Sequence, residues 1–186
     1  MKRLFLLLLI PIVQTLNANA AVKQDVDTML NKPAPDFKLK DINGKTVSLA
    51  DYKGKTLIID FWATWCVPCR NSFPAVKMAV EKYKNDPDVK FLFIDTRETE
   101  SNYPELAKKF MADNNYPFYY VFDEKSDDGK LNATFKKYVM PGIPTKYFID
   151  KNGIIKYRMI GFSPDQDTKQ DADIIAATIE KVKAGE

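Results

Sequence analysis

Cys66 and Cys69 are the only cysteines in the chain, two residues apart within FWATWCVPCRNSFP, which runs from Phe61 to Pro74. A pair at this spacing can hold a metal, staple the chain or exchange electrons. A structural zinc site takes four ligands, mostly cysteine and histidine, and the chain has no histidine. Ligand supply therefore argues against a metal. A disulfide stabilises mainly by closing a loop, and more so for longer loops. A bridge across two residues closes almost none. Redox exchange profits from the same closeness. A thiolate attacks a disulfide, a mixed disulfide forms, and a second thiol next door expels the product. The lack of histidine also removes any Cys–His nucleophile pair.

The chemistry needs an activated sulfur and a place for a proton. A helix is expected from Cys66 to about Asn85. Cys66 then sits where free N–H groups and the helix dipole favour a thiolate. Such placement lowers a thiol pKa from about 8.5 to between about 3.5 and 7.5. Cys69, one turn further in, should be more buried and keep its proton longer. Pro68 suits the first turn, and Pro74 should kink the helix. Asp60 interrupts the apolar run TLIIDFW, Thr56 to Trp62, which reads as a central strand covered on both faces. A buried acid there disfavours its charged form and is suited to take the Cys69 proton, directly or through a water. The other reading of Asp60 is a cap or a solvent-facing group at a strand edge. In Gly142-Ile143-Pro144-Thr145, Pro144 opens a strand as either a cis proline or an ordinary turn residue.

The remaining elements follow from periodicity and turn chemistry. Phe37–Leu39 and Thr46–Leu49 read as short strands, with Asp41-Ile42-Asn43-Gly44 supplying the turn between them. Strands are also expected at Lys90–Asp95, Phe118–Phe122, Thr145–Ile149 and Ile154–Ile160. The last two are joined by the turn Asp150 to Gly153. Helices are expected at Pro104 to about Asn114, at 131–139, and at Thr168–Lys183, where Ile174, Ile175, Ile179 and Val182 share a side. Alternating strands and helices followed by a hairpin predict an α/β fold, a mixed sheet with helices on both faces. The aromatic segment Tyr116 to Phe122 reads as core, or as a docking patch if the domain is a binding module.

The chain has 186 residues, 45% of them hydrophobic, enough for one domain with a substantial core. Its start reads as an export leader. Lys2 and Arg3 precede an apolar run from Leu4 to Val13, and Ala18-Asn19-Ala20 offers a cleavage site. The expected division is a leader over 1–20, a polar lead-in over 21–32 and a folded domain over 33–186. Losing Lys2 and Arg3 takes the formal charge from +3 to +1, which gives no argument for nucleic acid or anionic lipid. Export implies the periplasm or another extracytoplasmic compartment, where disulfides persist. No glycine-rich phosphate loop is present, and no cofactor is expected.

Together these residues resemble the thioredoxin superfamily. IIDFWATWCVPC is similar to the thioredoxin strand and active-site turn, Pro74 to its helix proline, and GIPT to its cis-proline loop. The opening APDFKLKDINGKTVSLADYKGK resembles the extra N-terminal hairpin of exported TlpA/ResA-like proteins and of the redoxin and peroxiredoxin lineage. The resemblance implies a thioredoxin fold and thiol–disulfide oxidoreductase activity. It implies Cys66 as attacking sulfur, Cys69 as resolving sulfur and Asp60 as the buried acid. Trp65 would flank the entrance, Pro68 would tune the potential, and Ile143 and Pro144 would offer main chain to a partner strand. Implied partners are disulfide-containing exported proteins and, for a reducing role, a membrane thiol electron donor. Many TlpA/ResA-like proteins carry a glutamate three residues after the second cysteine; here that position is Ser72. A redoxin-type peroxidase is the rival enzyme, but it wants a threonine three residues before its cysteine, where this chain has Ala63.

Overall fold

The computed structural model describes residues 25–123 and 132–186, with side chains from Leu30 onward; the expected leader lies outside them. Eight strands form one sheet in the order β1-β8-β7-β4-β5-β6-β2-β3. They are β1 (Asp25–Pro33), β2 (Lys38–Asp41), β3 (Thr46–Ser48), β4 (Thr56–Trp62), β5 (Val89–Asp95), β6 (Tyr120–Phe122), β7 (Thr145–Ile149) and β8 (Ile154–Ile160). The helices are α1 (Val67–Tyr83), α2 (Tyr103–Asp113), α3 (Ala133–Lys137) and α4 (Thr168–Ala184). β4 lies parallel to β5 and antiparallel to β7, so the sheet is mixed.

All seven residues of β4 are buried, as its unbroken apolar run requires. Alternation along the strand sends Ile58, Asp60 and Trp62 to one face and Leu57, Ile59 and Phe61 to the other. The first face packs under α1, α2 and α4 through Cys69, Phe73, Ala107, Met111, Ile175 and Ile179. The second is covered by Phe37, Val47, Leu49 and Tyr52 of the N-terminal segment and by Tyr138 at the end of α3. Both faces are covered, unequally, with the long helices on one side.

The β2–β3 hairpin forms as expected. Asp41 accepts from the N–H groups of Asn43 and Lys45, both at 2.9 Å, while Gly44 takes φ 77°. The Tyr119 hydroxyl donates to Asp41 at 3.0 Å and ties the hairpin to β6. The aromatic segment is core: Phe73 meets Phe118 at 5.2 Å and Tyr116 at 5.5 Å between ring centroids. Phe118, Tyr120 and Phe122 are buried with it. Of the helix expected over 131–139, α3 accounts for Ala133–Lys137, and Leu131 lies outside the described residues.

One expectation is corrected. The polar lead-in over 21–32 is, from Asp25 on, strand β1, paired antiparallel with β8. Its charges and its terminal Pro33 concealed it. An edge strand tolerates both, because only one of its sides joins the ladder.

Candidate active site

Trp62 ends β4, and Ala63-Thr64-Trp65 carries the chain to Cys66, the N-cap of α1. The Cys69 N–H donates to Cys66 Sγ at 3.2 Å, and the Arg70 N–H donates to the Cys66 carbonyl at 3.1 Å. A free N–H of the first helical turn thus points at the sulfur expected to carry charge. The two cysteines are joined in a disulfide with Cα atoms 5.3 Å apart.

The two sulfurs are not equivalent. Cys69 is 0% exposed and Cys66 2%, while the flanking Trp65 and Val67 are 45% and 53% exposed. Both cysteines are buried, while Trp65, Val67 and Pro68 on either side of Cys66 are exposed. Ser72, also buried, donates its hydroxyl to the Cys69 carbonyl at 2.8 Å. The position of the missing glutamate is thus a local helix contact.

Pro144 follows a cis peptide bond. Antiparallel register sets Asp60 opposite Lys146 and Phe61 opposite Thr145. The next position, Pro144, therefore comes level with Trp62 at the strand end that leads into the cysteine turn. The Pro144 carbonyl accepts from Gly161 at 2.9 Å, and Thr145 Oγ1 donates to the Gly142 carbonyl at 2.8 Å. Ile143 packs against both core clusters.

Asp60 is buried on the α1-facing side of the sheet, in line with Ile58 and Trp62. It has a partner that sequence reasoning missed. Lys146 Nζ lies 3.2 Å from Asp60 Oδ2, and both side chains are 2% exposed. Burial pushes the Asp60 carboxyl above its ordinary range, and Lys146 offsets part of that. Asp171, in the first turn of α4, is also buried, raised by desolvation and partly offset by Lys146. The signal for Lys146 was a lone lysine in the apolar run of β7, at the register position opposite a buried acid.

These raised carboxyls have a consequence for stability. Asp60, Asp95 and Asp171 each hold a proton more tightly folded than unfolded, with burial as the main cause. Their contribution is full below the ordinary carboxylate pKa and is lost as pH rises through the folded values. The oxidised protein should therefore resist urea better at about pH 5 than at about pH 8. Asp60→Asn and Asp95→Asn should each shrink that difference. A wild-type midpoint that rises across this window would contradict the assignment.

Comparison with known proteins agrees with this geometry. A profile of the AhpC/TSA family matches residues 30–158. The chain belongs to the AhpC/TSA family. It is 32% identical over 172 residues to the thiol-disulfide oxidoreductase ResA of Geobacillus thermodenitrificans, covering 92% of each chain. It is 31% identical over 153 residues to the thioredoxin-like protein YneN of Bacillus subtilis, covering 82% of this chain and 84% of that one. Among solved structures it resembles a thiol:disulfide interchange protein from Chlorobium tepidum assigned as DsbE. That match has a TM-score of 0.66 and 30% identity over 85% of this chain and 99% of the other. This AhpC/TSA member is accordingly a thiol–disulfide oxidoreductase with a thioredoxin-like fold. The rival peroxidase reading asks for a threonine at position 63. Here the nearest threonine, Thr64, is bound through both its N–H and its hydroxyl to Glu98, and Ala63 is fully buried.

Proposed function

We propose that this oxidoreductase is exported and reduces disulfides in other exported proteins. Cys66 attacks, Cys69 resolves and Asp60 takes the proton. The observation that carries this reading is the asymmetry of the disulfide: Cys66 caps α1 beside an exposed rim and accepts the Cys69 N–H, while Cys69 lies in the helix on the face that holds a buried carboxyl.

The Cys66 thiolate attacks a substrate disulfide, forming one S–S bond and releasing one substrate thiolate. Cys69 then gives its proton to Asp60 and attacks Cys66 Sγ. The substrate's second sulfur leaves as a thiolate, and the Cys66–Cys69 disulfide forms. Asp60 is suited to this task because burial has raised its proton affinity. Trp65, Pro68, Ile143 and Pro144 form the docking rim. No main-chain hydrogen bond engages Ile143 among the described residues, so an extended substrate segment can pair there. Electrons return from a membrane thiol donor. Export rests on the N-terminal leader pattern, which lies outside the described residues. Among the described residues no helix is long and apolar enough to cross a membrane.

The direction of flow rests on electrostatics. Strongly oxidising centres are those whose reduced form is most stabilised. A carboxyl facing the helix that carries the pair works against accumulated thiolate. Equilibration with glutathione or dithiothreitol buffers should place the couple nearer the thioredoxin value, about −270 mV, than the oxidising extreme of about −120 mV. A potential above about −180 mV would reverse the assigned direction.

A further inference from the structure

A second buried acid lies next to the cysteine turn and takes no part in the steps above. Asp95 ends β5 in register with Trp62 of β4 and is 1% exposed. Neither of its carboxyl oxygens has an N–H or O–H donor partner among the described residues. Glu98, three residues on, is the acid that acts with burial to hold a proton on Asp95. Glu98 is in turn bound to the turn itself: its Oε1 accepts the Thr64 N–H and its Oε2 accepts the Thr64 hydroxyl at 2.8 Å. Thr64 stands two residues before Cys66.

Two neighbouring carboxyls, one of them dry, cannot both ionise cheaply. Both Glu98 oxygens already serve Thr64 as acceptors, and Asp95 is the buried member, so the proton belongs on Asp95. The same loop grips the turn a second time: the Trp65 indole N–H donates to the Arg97 carbonyl at 2.9 Å. Arg97 is held at φ 57°, with its own N–H on Asn132 Oδ1 at 2.9 Å.

We propose that Asp95 and Glu98 share one proton and act as positioning residues, pinning the cysteine turn through Thr64. With the proton in place, the pair is a single anion that Thr64 clasps. Without it, two like charges repel beside the turn, the clasp loosens, and added negative charge opposes the Cys66 thiolate.

The other ionisable groups around the pair do not replace it. Tyr120 on β6 feels the Asp95 charge. Asp123 is committed to Thr96 and to the Thr134 and Phe135 N–H groups. Tyr103 of α2 stacks edge-on against Phe122. The Arg97 guanidinium lies over the Phe135 ring at 5.2 Å, and that of Arg70 on α1 over Phe110 at 5.7 Å. On β4, Asp60 is engaged with Lys146. Burial first, then Glu98, hold the Asp95 proton well above the ordinary carboxylate range.

The test follows the rate at which the reduced, full-length protein attacks a neutral alkyl disulfide across pH, with infrared detection of protonated carboxyl groups. In the wild type the rate should fall below a single-ionisation curve on the alkaline side, by about tenfold once the proton is lost, the worth of a charge-assisted hydrogen bond. Asp95→Asn keeps a donor to Glu98 that cannot ionise. It should lose one protonated-carboxyl band, keep the neutral-pH rate within about twofold and abolish the alkaline fall. Glu98→Gln, at a half-buried site that should not compromise folding, removes the anion that holds the Asp95 proton. Its inflection should move to lower pH. A purely structural pair would change denaturation midpoints and leave the profile alone. An unchanged profile in Glu98→Gln, or an Asp95→Asn protein with the wild-type band and alkaline fall, would overturn the proposal.

Discussion

A Cys69→Ser variant is expected to accumulate as a mixed disulfide on Cys66 and to turn over at least about a thousandfold more slowly than the wild type. Release of the substrate is intramolecular only while the second sulfur is present. Well-oriented intramolecular groups act at effective concentrations of about 10⁵ M or more, against millimolar external thiol. Even a modest fraction of that advantage exceeds three orders of magnitude. Cys66→Ser should instead form no adducts under native conditions, because Cys69 is fully covered. Mass spectrometry of the trapped species reads both variants and identifies the substrates. Adducts on Cys69 at a rate similar to Cys66 would invert the roles. Capture of small thiols alone would remove the protein-substrate reading.

That difference between the sulfurs follows from local rules visible in the chain. An apolar strand ending at Trp62 and a helix beginning at Cys66 leave one cysteine at the N-cap and the other on the inner face of the first turn. The hairpin was legible too, because Asp41 and Gly44 have definite turn chemistry. Pairing between distant segments was not. Lys146 reads as an oddity in a strand until antiparallel register sets it opposite Asp60. β1 was hidden because an edge strand carries the charged residues that composition assigns to a linker. The stretch from Asp95 to Glu100 offers the sequence reading only the end of the strand Lys90–Asp95. Nothing in its spacing says that Asp95 is sealed at a strand end while Glu98 turns back to Thr64. The isomer at Pro144 likewise depends on tertiary context, since local preference favours trans. The chemistry-bearing residues were readable one at a time; the partners that tune them were not, because tuning is done across the sheet.

Lys146→Met is expected to destabilise the fold by an amount that grows with pH, and to slow the resolving step. Removing one member of a buried pair costs about 3–5 kcal/mol when the other is left charged. Asp60 can escape by keeping its proton. Losing Lys146 removes a group that lowers the Asp60 carboxyl, so its proton is held still more tightly. A raised carboxyl leaves stability intact at acid pH and erodes it as pH climbs toward the folded value. The loss should therefore be small at about pH 5 and approach the full cost on the alkaline side. Asp171 remains near the gap as a second uncompensated carboxyl and steepens the trend. The double variant Asp60→Asn/Lys146→Met removes the stranded charge. Replacing a buried pair by neutral groups of similar size is often close to neutral for stability, so the double variant should regain most of the midpoint. It should not regain the rate, since no base is left to receive the Cys69 proton. Urea denaturation across pH, paired with single-turnover decay of a preformed mixed disulfide, separates the two effects. A double variant that resolves the mixed disulfide at the wild-type rate would show that Asp60 and Lys146 serve packing alone.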